Sequence, residues 1–155
     1  MKEVHEGLFV GNESDCVGRS GVRVVHACKV PCHRDAVGYS GSLAPGHPNY
    51  LSLERKHNLF LNMVDPPIPL FKLDSFKLFR DFARREYTEA KRLLIHCNEG
   101  FSRAPSLALL FLARDLGVIN AESYASARAE FEKLYPPYKP GEGIAWFMRS
   151  MWDQL

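Results

Sequence analysis

Leu93-Leu94-Ile95-His96-Cys97-Asn98-Glu99-Gly100-Phe101-Ser102-Arg103-Ala104-Pro105-Ser106 decides the reading of this chain. The aliphatic run that opens it predicts a buried strand ending at His96. The segment from Pro105 to Leu116 is apolar on most sides and predicts a central helix. Pro105 suits a first helical turn, where its missing N–H costs nothing. Between strand and helix the backbone must turn tightly, and Gly100 supplies the dihedral freedom. Open α/β sheets place ligands at this kind of junction.

The same run carries a chemistry. In a tight loop over Asn98, Glu99, Gly100, Phe101, Ser102 and Arg103, backbone N–H groups converge into an anion nest. The helix N-terminus adds unpaired donors and partial positive charge. Arg103 adds a planar fork that holds two phosphate oxygens. Cys97 then lies at the floor of a phosphate cradle, where the field favours a negatively charged sulfur. Such a sulfur attacks phosphorus in line, while Arg103 and the amides stabilise the equatorial oxygens. His96 is expected to alternate away from Cys97 and to hold the loop through hydrogen bonds. Glu99 is expected to point outward, because a carboxylate in the cradle repels phosphate.

A leaving alcohol needs a proton, and Asp65 is the candidate donor. It follows a predicted strand over Asn58–Met63 and precedes Pro66-Pro67-Ile68-Pro69, which stiffen its loop. As an acid it protonates the leaving oxygen; as a carboxylate it then activates water. Read alone, Asp-Pro is an ordinary turn.

The remaining elements follow from pattern. Leu8–Gly11 and Val22–Ala27 read as strands, the second interior. Asp74 or Ser75 is the expected cap of a helix with Phe76, Phe79, Phe82 and Ala83 on one face. Asn120 is the expected cap of a helix that Pro136-Pro137 ends. Ile144, Phe147, Met148, Met151, Trp152 and Leu155 form the stripe of a last helix, which packing on the sheet explains. Residues 28–50 are rich in Gly and Pro, so a long loop is expected at about 28–57. The sum is α/β: a small central, mostly parallel sheet flanked by helices, in one domain over 1–155.

Composition bounds the alternatives. The chain has 155 residues, 46% hydrophobic and 25% charged, with a formal net charge of +2. That balance does not advertise a nucleic-acid surface or a membrane partner. The local pairs Arg84-Arg85 and Lys91-Arg92 are expected on solvated faces. Leu107–Ala113, the longest apolar stretch, is too short to span a bilayer. No cleavable apolar leader is visible, and a nucleophilic cysteine needs reducing surroundings, so the expected location is cytoplasmic. Asp15 and Asp115 most simply serve caps or solvent. His26, Cys28, Cys32 and His33 are soft ligands at close spacing, but core and loop chemistry is the simpler reading, and no metal or cofactor is expected. Cys28 or Cys32 is also a candidate disulfide partner for oxidised Cys97. Sequence does not give an oligomeric state.

His96-Cys97-Asn98-Glu99-Gly100-Phe101-Ser102-Arg103 resembles the signature loop of cysteine-dependent dual-specificity protein phosphatases, within the protein tyrosine phosphatase superfamily. Leu8-Phe9-Val10-Gly11-Asn12 resembles their opening strand and turn, and Asn62-Met63-Val64-Asp65 the strand end carrying their general acid. The resemblance implies a metal-independent enzyme in which Cys97 is nucleophile, Arg103 binds phosphate and Asp65 is acid, then base. It implies phosphotyrosine substrates, and phosphoserine or phosphothreonine in some members. Some relatives act on phosphoinositides or RNA 5′ ends. Low-molecular-weight tyrosine phosphatases share the cysteine–arginine spacing but place the cysteine near the N-terminus and the acid near the C-terminus.

One departure bears on turnover. The family usually has Ser or Thr after the arginine, where the hydroxyl helps the cysteine leave; this chain has Ala104. Ser102 or Ser106 is a candidate substitute, and slow breakdown of the cysteinyl-phosphate is expected. The competing reading is a phosphate-binding module without turnover, taking a phosphoprotein or other phosphomonoester as partner.

Overall fold

The computed structural model describes residues 1–16, 20–90 and 92–155; Lys91 lies outside the described residues. Among these, strands β1 (Lys2–His5), β2 (Leu8–Gly11), β3 (Arg23–His26), β4 (Ser52–Arg55), β5 (Asn58–Leu61) and β6 (Leu93–His96) form one sheet. Its spatial order is β1-β2-β6-β3-β5-β4. The inner four strands are parallel, and the two edges pair antiparallel through hairpins. The helices are α1 (Arg34–Val37), α2 (Leu73–Ala90), α3 (Arg103–Arg114), α4 (Tyr124–Leu134) and α5 (Glu142–Met151).

β6 is buried along its whole length. A strand with parallel neighbours on both sides and cover on both faces meets no water, which is why it reads as unbroken aliphatics rather than an alternation. Its register sets Gly11 of β2 and His26 of β3 beside His96. α3 packs against it, with every residue from Ala104 to Ala113 buried. The helix starts two residues before the expected Pro105, which therefore falls inside the first turn.

α2 lays Phe76, Phe79, Phe82 and Ala83 into the core as its period requires. It begins at Leu73, so Asp74 and Ser75 lie in the first turn rather than capping it. Asp74 there still favours the positive end of the helix dipole. Phe76 stacks on Phe147 of α5 at 5.0 Å, closing the core at that end. Ser123 rather than Asn120 caps α4, accepting from the Ser126 N–H at 3.0 Å. Asn120 instead accepts from the Glu122 N–H.

Two edge strands escape the pattern. β1 and β4 each carry a single large apolar residue, Val4 and Leu53, too few to mark an alternation. β4 occupies part of the loop expected at 28–57, and a helical turn with α1 occupies its start. The β4–β5 turn places Lys56 and His57 in the left-handed region (φ 46° and 63°), a primed hairpin turn without its usual glycine or asparagine. His33 organises the rest: its ring pairs with the Tyr39 hydroxyl and donates to the Asn49 carbonyl, at 3.0 and 2.9 Å.

Asp115 is the C-cap residue of α3, its N–H donating to the Phe111 carbonyl at 3.0 Å, but its side chain is not solvated. Its carboxylate is 3% exposed and accepts a two-pronged contact from Arg80 (2.7 and 2.8 Å) and a third from Arg84 at 2.6 Å. This joins α2 to the end of α3. Asp15 does cap, accepting from the Asn12 N–H at 3.0 Å and from the N-terminal amine at 2.8 Å.

Replacing Asp115 by Ala leaves a mostly buried guanidinium without its anion. Urea unfolding of Asp115→Ala should show a loss of about 3 kcal/mol, whereas Asp81→Ala, at a largely exposed pair, should change stability by less than about 0.5 kcal/mol.

Candidate active site

Past His96 the backbone leaves the sheet and turns over Cys97–Ser102 into α3. Gly100 has φ +80°, and a Cβ there would lie 3.0 Å from the Gly11 carbonyl oxygen. Both dihedral and contact exclude a side chain, so the loop rests directly on the end of β2. The Glu13 N–H donates to the Asn98 carbonyl at 3.1 Å, a second tie to the same edge.

Cys97, 2% exposed, lies at the floor of a cleft of about 450 Å³. Asp65, Arg103 and Lys139 are among its walls. Asn98, Glu99, Phe101 and Ser102 also line it; Glu99 and Phe101 are exposed at the rim, Glu99 as expected. Arg103 donates to the Met63 carbonyl at 2.9 Å and to Asn98 Oδ1 at 2.7 Å. These contacts fix the guanidinium plane from both sides. Its Nε is buried and has no hydrogen-bond partner among the described residues. Asp65 Oδ2 stands 3.9 Å from that nitrogen, an ion-pair distance but too long for a hydrogen bond.

The loop after Tyr135 braces the cradle from outside. Tyr135 donates its hydroxyl proton to the Gly100 carbonyl at 3.1 Å, and the Lys139 N–H donates to the Phe101 carbonyl at 2.9 Å. The Gly141 N–H donates to Ser102 Oγ at 2.9 Å. Tyr138 hydrogen-bonds with Ser106 (2.9 Å) and Tyr124 (3.0 Å) in a buried hydroxyl chain. Burial pushes the Tyr138 phenol well above its ordinary range. Ser106 is thus engaged inside the protein, leaving Ser102 as the hydroxyl beside the cleft.

The start of α5 positions Asp65. A Cβ on Gly141 would lie 2.8 Å from Asp65 Oδ1, and one on Gly143 would lie 2.3 Å from the Pro66 carbonyl oxygen. The Asp65 loop therefore packs on bare backbone. Sequence reading singled out neither glycine, although Gly141-Glu142-Gly143 at a helix start was the available signal.

His96 turns away from Cys97 toward β3, as alternation requires. Its Nε2 lies 2.7 Å from His26 Nδ1. Burial pushes His96 down to about 4, reinforced by the neighbouring His26 ring; burial also lowers His26. The close-spaced soft ligands His26, Cys28, Cys32 and His33 do not assemble as one set, because His33 is committed to Tyr39 and Asn49. All four cysteines are free thiols. Cys28 is held toward the thiolate by a hydrogen bond from Cys32, and Cys32 is pushed up by the same contact.

No protein-family model and no curated protein matches the chain. Solved structures do. A human tyrosine phosphatase-like serine/threonine/tyrosine-interacting protein is 20% identical with a TM-score of 0.65, over 97% of this chain and 93% of that one. A mouse putative dual specificity phosphatase is 20% identical with a TM-score of 0.66, over 98% and 85%. A leucine rich repeat and phosphatase domain containing protein from Entamoeba histolytica is 15% identical with a TM-score of 0.67, over 99% and 91%. The chain has a dual-specificity-phosphatase-like fold. At these identities the likeness is one of fold. Among the described residues no helix is long and apolar enough to cross a membrane.

Gly143→Ala forces a methyl group into the Asp65 loop. Thermal unfolding should show a loss of about 1–3 kcal/mol, while Gly46→Ala, with open space around it, should leave the midpoint unchanged or slightly raised.

Proposed function

We propose that the chain is a cysteine-dependent phosphoric monoester hydrolase acting on phosphotyrosine, with phosphoserine and phosphothreonine as further substrates. The observation that carries this is Cys97 at the floor of the cleft, with the Arg103 guanidinium locked beside it and its Nε unpaired. Buried donors are nearly always satisfied, and a phosphate oxygen satisfies this one.

In the proposed reaction the phosphoryl group binds to the loop amides and Arg103. The Cys97 sulfur attacks phosphorus as the ester oxygen leaves opposite, and protonated Asp65 gives that oxygen its proton. A cysteinyl-phosphate remains. Ionised Asp65 then takes a proton from water, water attacks phosphorus, and sulfur departs as thiolate with inorganic phosphate released. Arg103 and the amides stabilise the oxygens in both steps. The chemistry needs no metal in the cleft, and it needs reducing surroundings, for which a cytoplasmic location is proposed.

Ala104 favours a second reading, a phosphate-binding module with little turnover. Its methyl cannot donate to the departing sulfur, and Ser106 is held by Tyr138. Phosphoinositides and RNA 5′ phosphates are the remaining substrate classes.

Purified protein should hydrolyse an aryl phosphate and a phosphotyrosine peptide, and Cys97→Ser should abolish both activities. Asp65→Asn should lower kcat by about 10²–10³-fold on the peptide. No turnover in the parent, with phosphopeptide affinity retained in Cys97→Ser, gives the module instead. A panel adding a phosphoinositide and a 5′-triphosphorylated RNA separates the substrate classes.

Stopped-flow hydrolysis of an aryl phosphate should show a burst approaching one equivalent of phenol, because breakdown is slow. Ala104→Ser should raise the steady-state rate and shrink the burst. A parent without a burst contradicts rate-limiting breakdown.

A further inference from the structure

Apart from the residues that line the cleft, Cys16, His26, Cys32 and His96 bring their ligand atoms within 4.8 Å of one another. They come from well-separated parts of the chain: the turn after β2, the end of β3, the helical segment at 29–33 and the end of β6. We infer that these four side chains form a structural zinc site that holds the phosphate-binding loop in place.

The donor set fits. Two thiolates and two imidazoles are a common closed zinc set, and two negative sulfurs neutralise the ion. A tetrahedral zinc ion, with bonds of about 2.0–2.3 Å, spans ligand–ligand edges of roughly 3.3–3.8 Å. His26 Nδ1 and His96 Nε2 stand 2.7 Å apart, and Cys32 Sγ stands 4.0 Å from His96 Nε2. Closing on an ion therefore requires the nitrogens to part slightly and the sulfurs to draw in.

The surroundings prepare the rings to ligate. The Asn58 amide donates to the Lys56 carbonyl at 2.9 Å, which turns its oxygen toward His26 Nε2 at 3.1 Å. An amide oxygen only accepts, so the His26 proton sits on Nε2 and a lone pair faces the cluster from Nδ1. Second-shell contacts of this kind orient metal-bound histidines. Phe60 stacks on the same ring at 4.2 Å and fixes its plane.

His96 supplies an independent sign. It is fully buried, and its Nδ1 has no hydrogen-bond partner among the described residues. With the His96 proton on Nε2, donated to His26, that Nδ1 lone pair is orphaned. Coordination through Nε2 leaves the ring proton on Nδ1. A metal–nitrogen bond at Nε2 would take the place of the 2.7 Å ring-to-ring contact. Cys16 and Cys32 are partly exposed, which gives the ion a way in.

The site's effect on the cleft runs through Asn98. Its side-chain amide donates to the Val30 carbonyl at 2.9 Å, and its own carbonyl accepts from the Glu13 N–H at 3.1 Å. Val30 and Glu13 sit close in sequence to Cys32 and Cys16. Asn98 Oδ1 in turn holds Arg103 at 2.7 Å. Zinc tying both segments to His96 fixes Asn98, and through it the guanidinium. Cys97 is outside the ligand set, so the metal takes no part in phosphoryl transfer.

Protein produced in zinc-supplemented medium should carry about one zinc ion per chain by elemental mass spectrometry. Cys97→Ser should keep that stoichiometry, and the Cys16→Ala/Cys32→Ala double variant should lose it. Cobalt-substituted parent should show tetrahedral ligand-field bands with a thiolate charge-transfer band. Cys16→Ser, on the half-exposed turn, should lower that band by about half. Stripping the folded parent with chelator should lower its Tm by roughly 10 °C, restored by zinc and not by magnesium. Three results overturn the proposal: a zinc-dialysed parent that holds no zinc and gives no cobalt spectrum, zinc retained by a folded double variant, or zinc lost in Cys97→Ser. The last places the ion in the cleft. Catalytic failure alone leaves these readouts unchanged, since Cys97→Ser is expected to be inactive and metal-bound.

Discussion

Burial of β6 between β2 and β3, under α3, is the constraint on which the cleft depends. A parallel strand with no solvent on either face cannot slide without exposing Leu93, Leu94 and Ile95, each fully buried. α3 is equally committed, with its apolar residues buried all round. The six residues from Cys97 to Ser102 are strung between these two fixed bodies and have little freedom left. Gly100 resting on the Gly11 carbonyl completes the restriction. In the proposed reaction, a loop held this way presents its N–H groups without reorganising when a phosphate arrives.

The C-terminal third supports the same region from the other side. Tyr135, Lys139 and Gly141 each hydrogen-bond to a different residue of the loop, and Gly141 and Gly143 let the Asp65 segment approach bare backbone. Asp65, Arg103 and Cys97 are therefore placed by one continuous packing arrangement, although Asp65 comes from a separate segment. The hydroxyl chain Ser106–Tyr138–Tyr124 anchors this brace to α3 and α4 inside the core. Buried hydroxyls without partners are costly, so the chain is an all-or-none arrangement that specifies one packing.

Much of this was legible in the sequence where the signal is local. An aliphatic run, a glycine-bearing turn and an apolar helix sufficed for β6, the cradle and α3, because each follows from neighbours within a few residues. The aromatic faces of α2 and α5 were legible from their period. What escaped depends on distant partners. β1 and β4 have too few apolar residues to declare an alternation, and they exist because β2 and β5 offer edges to pair with. Asp115 looked like a surface acid until Arg80 and Arg84 arrived from α2. His33 and His26 are equally plausible ligands in sequence, and the fold separates them by sending His33 to Asn49 and bringing His26 beside His96. No spacing rule links Cys16 to His96; sheet order does.

The most direct measurement is the site of phosphoryl attachment during turnover. Acid quenching with a phosphotyrosine substrate, followed by peptide mapping under conditions that preserve thiophosphate, should find the phosphoryl group on the peptide containing Cys97, on its sulfur. A turning-over enzyme with the phosphoryl group on His96 or Ser102, or with none on Cys97 at any quench time, would contradict sulfur as the nucleophile.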